Sequence, residues 1–160
     1  MLRDRGRAKR TMDIFEAATS GNIGRVVHLV EELGDEQVLL KNAVEYTPLH
    51  FSAQRGRYRI SKYLLAQGAD PNARNFIDKT PLHLAAFLNN ADCCELLLQH
   101  GANIHAEDKF GRTPYIIAKE NGYEETLRVL ERYGQKLDWD EVVLNRDDSF
   151  LKYLSGQKVV

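Results

Sequence analysis

Thr80-Pro81-Leu82-His83-Leu84-Ala85-Ala86 decides the fold, because the chain spells it more than once. Thr47-Pro48-Leu49-His50 stands 33 residues before it and Thr113-Pro114-Tyr115-Ile116 stands 33 after. A second series, Gly34, Gly68, Gly101 and Gly134, keeps the same period with one extra residue in the first interval. Self-similarity at this period means stacked supersecondary units rather than one undivided core. Each recurring residue type has a physical reason. A threonine hydroxyl can cap a helix, and proline suits the first helical position, where its missing N–H costs nothing. The small alanines that follow let a first helix lie close to its neighbours. Gly56, Asn89 and Gly122 then mark a break, being residue types that accept a left-handed backbone. Apolar residues at helical spacing predict a second helix: Ile60, Tyr63 and Leu64, then Leu96, Leu97 and Leu98, then Leu127 and Leu130. The glycine at 68, 101 or 134 is expected to end it.

A 33-residue period opened by Thr-Pro-Leu-His resembles the ankyrin repeat. The resemblance covers about residues 12 to 134. It implies an all-α fold, a solenoid of stacked helix-turn-helix units with projecting β-hairpin loops. Polar stretches such as Ala69-Asp70-Pro71-Asn72 and Ala102-Asn103-Ile104-His105 would form those loops. The chain then divides into a basic N-terminus (1–11), repeats at about 12–42, 43–75, 76–108 and 109–134, and a C-terminal segment (135–160). The opening repeat lacks the Thr-Pro-Leu-His start, and Arg25 stands where internal repeats carry Ile60 and Cys93. A polar residue there suits an end repeat whose outer face meets water. The fourth repeat drifts in the same way, with Ile116 in the histidine position and Glu131 where Leu65 and Leu98 stand.

Past Gly134 the pattern stops. Asp138 and Glu141 read as a capping box ahead of Val142, Val143 and Leu144, and Asp147-Asp148-Ser149 can start a further short helix through Phe150, Leu151 and Leu154. This segment is either a degenerate cap on the fourth repeat or a docking tail with Trp139 as its anchor.

The composition narrows the function. The formal net charge of -1 gives no overall drive toward nucleic acid or an acidic membrane. The only cysteines, Cys93 and Cys94, are adjacent, which excludes a disulfide framework and suits a reducing compartment. Met1-Leu2-Arg3-Asp4-Arg5 is followed by no apolar run, and no stretch approaches the length of a membrane helix. A cytoplasmic or nuclear protein, monomeric on its own and without a membrane, is the expectation.

Residues that could carry chemistry have structural readings. By the resemblance, His50 and His83 tie neighbouring loops together, and neither a Ser/His/Asp constellation nor metal-ligand spacing accompanies them. Cys93 and Cys94 fall on the inward side of a second helix, where a free cysteine behaves as a small hydrophobe. The glycines recur singly and form no phosphate-binding loop. The expectation is therefore no enzyme: no catalytic residues, no metal and no cofactor. The Asp70-Pro71-Asn72 tip loosely resembles the context that oxygen-sensing asparaginyl hydroxylase modifies in ankyrin proteins, with Pro71 departing from the usual branched apolar residue.

In a repeat stack, function sits on residues that the repeat does not need for itself. In the ankyrin family these are the hairpin tips and the break after the first helix, which together line one concave groove. By position the partner-binding residues would be Tyr46, Arg55, Arg74, Phe76, Ile77, Lys79, Phe87, Leu88, Lys109, Phe110 and Arg112. Phe87 and Leu88 occupy sites that flanking repeats fill with Gln54-Arg55 and Glu120-Asn121. An apolar centre inside a charged rim is the anatomy of a protein interface. The implied partner is another protein with an acidic and apolar surface, and the implied role is a non-catalytic scaffold or adaptor.

Two alternatives stand beside it. One is a direct inhibitor or regulatory subunit of an enzyme such as a protein kinase, since small ankyrin inhibitors of cyclin-dependent kinases are similar in size and repeat number. Those carry a shortened first helix in the second repeat, whereas Thr47 through Gln54 reads as full length. The other is nucleic-acid binding or nuclear import through Arg3, Arg5, Arg7, Lys9 and Arg10.

Overall fold

The computed structural model describes the backbone of residues 13–144 and the side chains of residues 13–134. The basic stretch 3–10 and the 147–154 segment lie outside the described residues, and so does the side chain of Trp139. Among the described residues eight α-helices run in chain order: α1 (Ile14–Ser20), α2 (Ile23–Leu33), α3 (Pro48–Gln54), α4 (Tyr58–Ala66), α5 (Pro81–Phe87), α6 (Ala91–Gln99), α7 (Pro114–Glu120) and α8 (Glu124–Leu144). A 3-10 turn over Asp35–Leu39 joins α2 to the second repeat. The helices pair as α1/α2, α3/α4, α5/α6 and α7/α8. First helices pack on first helices and second helices on second, so the chain stacks in two layers.

The threonine-proline starts do what their chemistry dictates. Thr47 is extended at the N-cap of α3, and its Oγ1 accepts a hydrogen bond from the N–H of His50 at 3.3 Å. His50 reciprocates: its Nδ1 accepts from the Thr47 N–H at 3.1 Å, so histidine fills the capping-box place usually held by Glu or Gln. Thr80 and His83 repeat the second bond at 3.1 Å. Thr113 caps α7 at 3.3 Å without a histidine. Asp13 and Asn22 cap α1 and α2 through Oδ1, at 2.8 and 3.0 Å. With seven residues, α3 equals α5 and α7 in length, the full-length first helix that its sequence predicts.

Between the helices of a repeat the backbone turns left-handed at Gly56, Asn89 and Gly122, with φ of 63, 58 and 69°. This is the shared break that the sequence marks. The core is a ladder of equivalent positions. Leu49, Ala53, Leu64, Leu82, Ala85, Ala86, Cys94, Leu97 and Ala118 are fully buried. Alanines in the first helices let that layer pack closely, while leucines of the second helices fill the space between layers.

Two expectations need correction. Gly134 does not end the last second helix, and Asp138 does not start a new one, because α8 continues through both to Leu144. Gly68 and Gly101 stop their helices with φ of 90 and 84°, whereas Gly134 is not among the positive-φ residues and a Cβ there would sit 3.8 Å from Ile104 Cδ1. One interior glycine costs a helix only about 1 kcal/mol, so the helix can run on through it. Secondly, the projecting loops carry no strand among the described residues. Each tip is closed by one backbone bond across its base, Asn42 N–H to Tyr46 C=O (3.0 Å), Asn75 to Lys79 (3.1 Å) and Asp108 to Arg112 (3.0 Å), with a turn bond inside it from Glu45, Asp78 or Gly111 N–H (2.9 Å each), which does not make a ladder.

Candidate functional site

The loop tips are shaped by one residue per repeat that sequence reasoning missed. Asn42 Oδ1 accepts from the N–H groups of Val44 (3.1 Å) and Tyr46 (2.9 Å). Asn75 Oδ1 does the same for Ile77 (3.1 Å) and Lys79 (2.9 Å), and Asp108 Oδ1 for Phe110 (2.9 Å) and Arg112 (3.0 Å). These Asx turns let each tip hold its shape on a side chain instead of a strand ladder. The signal was available, because 42, 75 and 108 keep the 33-residue spacing. At each tip the next position but two takes a positive φ: Glu45, Asp78 and Gly111.

Adjacent tips are stapled to one another. The Phe76 N–H donates to Val44 C=O (3.4 Å) and the Lys109 N–H to Ile77 C=O (3.1 Å). Lys41 Nζ donates to Arg74 C=O at 3.3 Å, and Arg74 Nη1 to Glu107 C=O at 3.1 Å. His50 Nε2 meets Lys79 C=O and His83 Nε2 meets Arg112 C=O, both at 3.0 Å. Because Nδ1 of each ring accepts from a threonine N–H, Nε2 carries the proton and donates to the carbonyl. Burial lowers the His50 pKa to about 4 and lowers that of His83, which keeps both rings neutral. The histidines are thus loop ties, as the resemblance implies. Ile116 takes the equivalent place in α7 and is exposed, since α8 runs on where a further loop would offer a carbonyl. Asn72 is another staple: its Nδ2 donates to Gly101 C=O (3.0 Å) and its Oδ1 accepts from Asn103 N–H (2.7 Å). Asn90 Nδ2 ties the breaks of two repeats by donating to Ala53 and Gln54 carbonyls, at 3.0 and 2.8 Å.

On this frame the groove residues fall into two groups. Phe76, Phe87, Leu88 and Phe110 are exposed by 49, 44, 42 and 68%. Lys79 Nζ lies 5.3 Å from the centre of the Phe87 ring and the Arg112 guanidinium 5.2 Å from that of Phe110. Lys109 Nζ donates to Phe76 C=O at 2.5 Å. Burial and the nearby Arg112 charge lower the Lys79 pKa, with Asp108 opposing them. Arg112 also pairs with Asp108 (3.2 Å) and lies 3.9 Å from Glu120. Hydrogen bonds from the Arg112 and Phe110 N–H groups and the Arg112 guanidinium outweigh burial and leave the Asp108 pKa lowered. Ile77 is half-buried in its tip. Tyr46 and Arg55 are not brought into this cluster by any contact: the Tyr46 ring packs 5.3 Å from both His50 and Phe51, and Arg55 is the exposed C-cap of α3.

Both cysteines are buried, and burial pushes the Cys93 thiol up to about 11 and raises that of Cys94 further from ionisation. At neutral pH they are protonated packing groups. Among the described residues no helix is long and apolar enough to cross a membrane.

Comparison with known proteins agrees with this architecture. The family model for ankyrin repeats in many copies matches residues 29–85, and that for ankyrin repeats in three copies matches residues 74–140. The human protein "Ankyrin repeat domain-containing protein 39" is 34% identical over 61 residues, which is 38% of this chain. The match spans 32% of that relative's length. From the 33-residue period, the reciprocal threonine–histidine caps and these matches, the chain belongs to the ankyrin-repeat family, whose repeats bind other proteins.

Proposed function

We propose that this chain is a non-catalytic scaffold or adaptor that binds an acidic and apolar surface of another protein through its loop tips and first-helix layer. One observation carries the reading: Phe76, Phe87, Leu88 and Phe110 stay exposed on neighbouring repeats while Lys79 and Arg112 lie over two of the rings. The repeat does not require them there, because Gln54-Arg55 and Glu120-Asn121 serve at the Phe87-Leu88 position. Apolar rings provide the contact area and the cations select an acidic partner. Buried, protonated thiols suit the cytoplasm or nucleus as the place of action.

The double variant Phe87→Ser/Leu88→Ser tests this. About half of each side chain already meets water, so unfolding should move by about 2 kcal/mol or less. Proteins recovered with the wild type from a cell extract should be lost. A drop of several kcal/mol would place the residues in the core, and unchanged recovery would remove the groove from binding; either result ends the proposal.

A further inference from the structure

The connection between the first two repeats departs from the later ones. The Asx residues 42, 75 and 108 set the register, so Leu39 and Leu40 stand where later loops have Asn72-Ala73 and His105-Ala106. Those positions elsewhere serve the stack: Asn72 staples two loops, and Ala73 and Ala106 are buried. Leu39 has no polar atom with which to staple and is 57% exposed, and Leu40 is too large for the alanine slot and is 39% exposed. Leu33, which closes α2, is 54% exposed. The extra residue of this interval is absorbed by the 3-10 turn, which buries only Val38. Three exposed leucines therefore stand within residues 33–40, at positions where the repeat has no need of them.

Four exposed carboxylates frame them: Glu31, Glu32, Asp35 and Glu36. Residues 31–40 contain no lysine or arginine. Lys41 beside this stretch is engaged with Arg74 C=O (3.3 Å), and the His28 ring lies 3.1 Å from Glu32. Burial and then the charges of Glu31 and Asp35 raise the Tyr63 pKa, so the negative field of this corner reaches α4.

We infer that the corner formed by residues 31–40 is a second docking surface, separate from the groove, for a cationic amphipathic segment of a partner protein. Charge complementarity chooses the occupant. Four exposed carboxylates on a stretch without lysine or arginine repel an acidic surface and attract a basic one, while the leucines take the apolar side of the same segment. The groove presents the opposite rim, cationic around aromatic rings. One chain can then join two partners of opposite charge, which is the task of an adaptor. The corner does not depend on the groove reading, and each is tested by its own variants.

The full chain is titrated, by fluorescence anisotropy, into a labelled synthetic peptide made of repeated Leu-Lys-Lys-Leu units, with a Ser-Lys-Lys-Ser peptide as control. The leucine peptide should bind at least about tenfold tighter than the control. Leu33→Ser/Leu39→Ser, and separately Glu31→Gln/Glu32→Gln/Asp35→Gln/Glu36→Gln, should each weaken it by about tenfold or more. All these side chains are exposed, so the variants should unfold with the wild type, and Phe87→Ser/Leu88→Ser should bind the peptide as the wild type does. Equal binding of the two peptides, or corner variants that bind normally, overturns the inference. So does wild-type self-association in sedimentation that Leu39→Ser abolishes, which would make a second copy the occupant. Tighter peptide binding after removal of residues 1–10 would assign the surface to the chain's own basic segment and overturn it equally.

Discussion

The histidine of each Thr-Pro-Leu-His motif does two structural jobs with one neutral ring, and acid pH is where that shows. The folded-state pKa of His50 is about 4, against an ordinary 6.5. Between these values the unfolded chain binds a proton that the folded chain does not, so stability is whole above the ordinary value and falls with pH through the window. His50 alone gives a loss of about 3 kcal/mol at its limit, and His83 acts in the same direction. The lowered carboxyl of Asp108 adds a further loss at lower pH, as it protonates. Urea midpoints taken across this range should fall with acidity, and His50→Gln should flatten the slope while lowering stability at neutral pH. Asn75 offers a second test. Its Nδ2 is buried without a partner, whereas at the equivalent Asp108 the second carboxylate oxygen takes Arg112 Nε at 3.3 Å and Nη2 at 3.2 Å. Asn75→Asp removes the orphan donor and presents a carboxylate to Lys79, which stands at the Arg112 position. Thermal unfolding should report about 1 kcal/mol of added stability.

At the scale of the helix, one residue type has opposite meanings at 101 and 134. Gly101 sits at φ 84° after α6, in open space, where a side chain is strained by the backbone alone. Gly134 lies inside α8, and a Cβ there would make an ordinary contact with Ile104. Gly134→Ala should therefore stabilise the protein by about 1 kcal/mol, and Gly101→Ala should destabilise it by a similar amount. Chemical denaturation of the two variants gives the sign of each directly. The sequence could not separate them, because both keep the period. What differs is the tertiary consequence: after Gly101 the chain turns away to build another tip, and after Gly134 it continues as helix.

Across the whole molecule the stack is one-dimensional, each repeat touching its neighbours. Val30→Ala in α2 and Leu130→Ala in α8, far apart in the stack, should add within about 0.5 kcal/mol. Leu64→Ala and Leu97→Ala, on the packed pair α4 and α6, should depart from additivity; each alone costs about 3 kcal/mol, and unfolding of the single and double variants measures the coupling. The period alone determined the family, the paired helices, the caps at Thr47, Thr80 and Thr113, the left-handed breaks at Gly56, Asn89 and Gly122, and the structural place of the histidines and cysteines. These are local or repeated features, and repetition shows which residue types the unit needs. Only the tertiary structure decided that Tyr46 packs on His50 and Phe51, that Lys79 and Arg112 cover phenylalanine rings, and that leucines at 33, 39 and 40 remain in water. Such outcomes depend on which neighbour lies across from a side chain once the repeats stack, and a period along the chain carries no record of that distance.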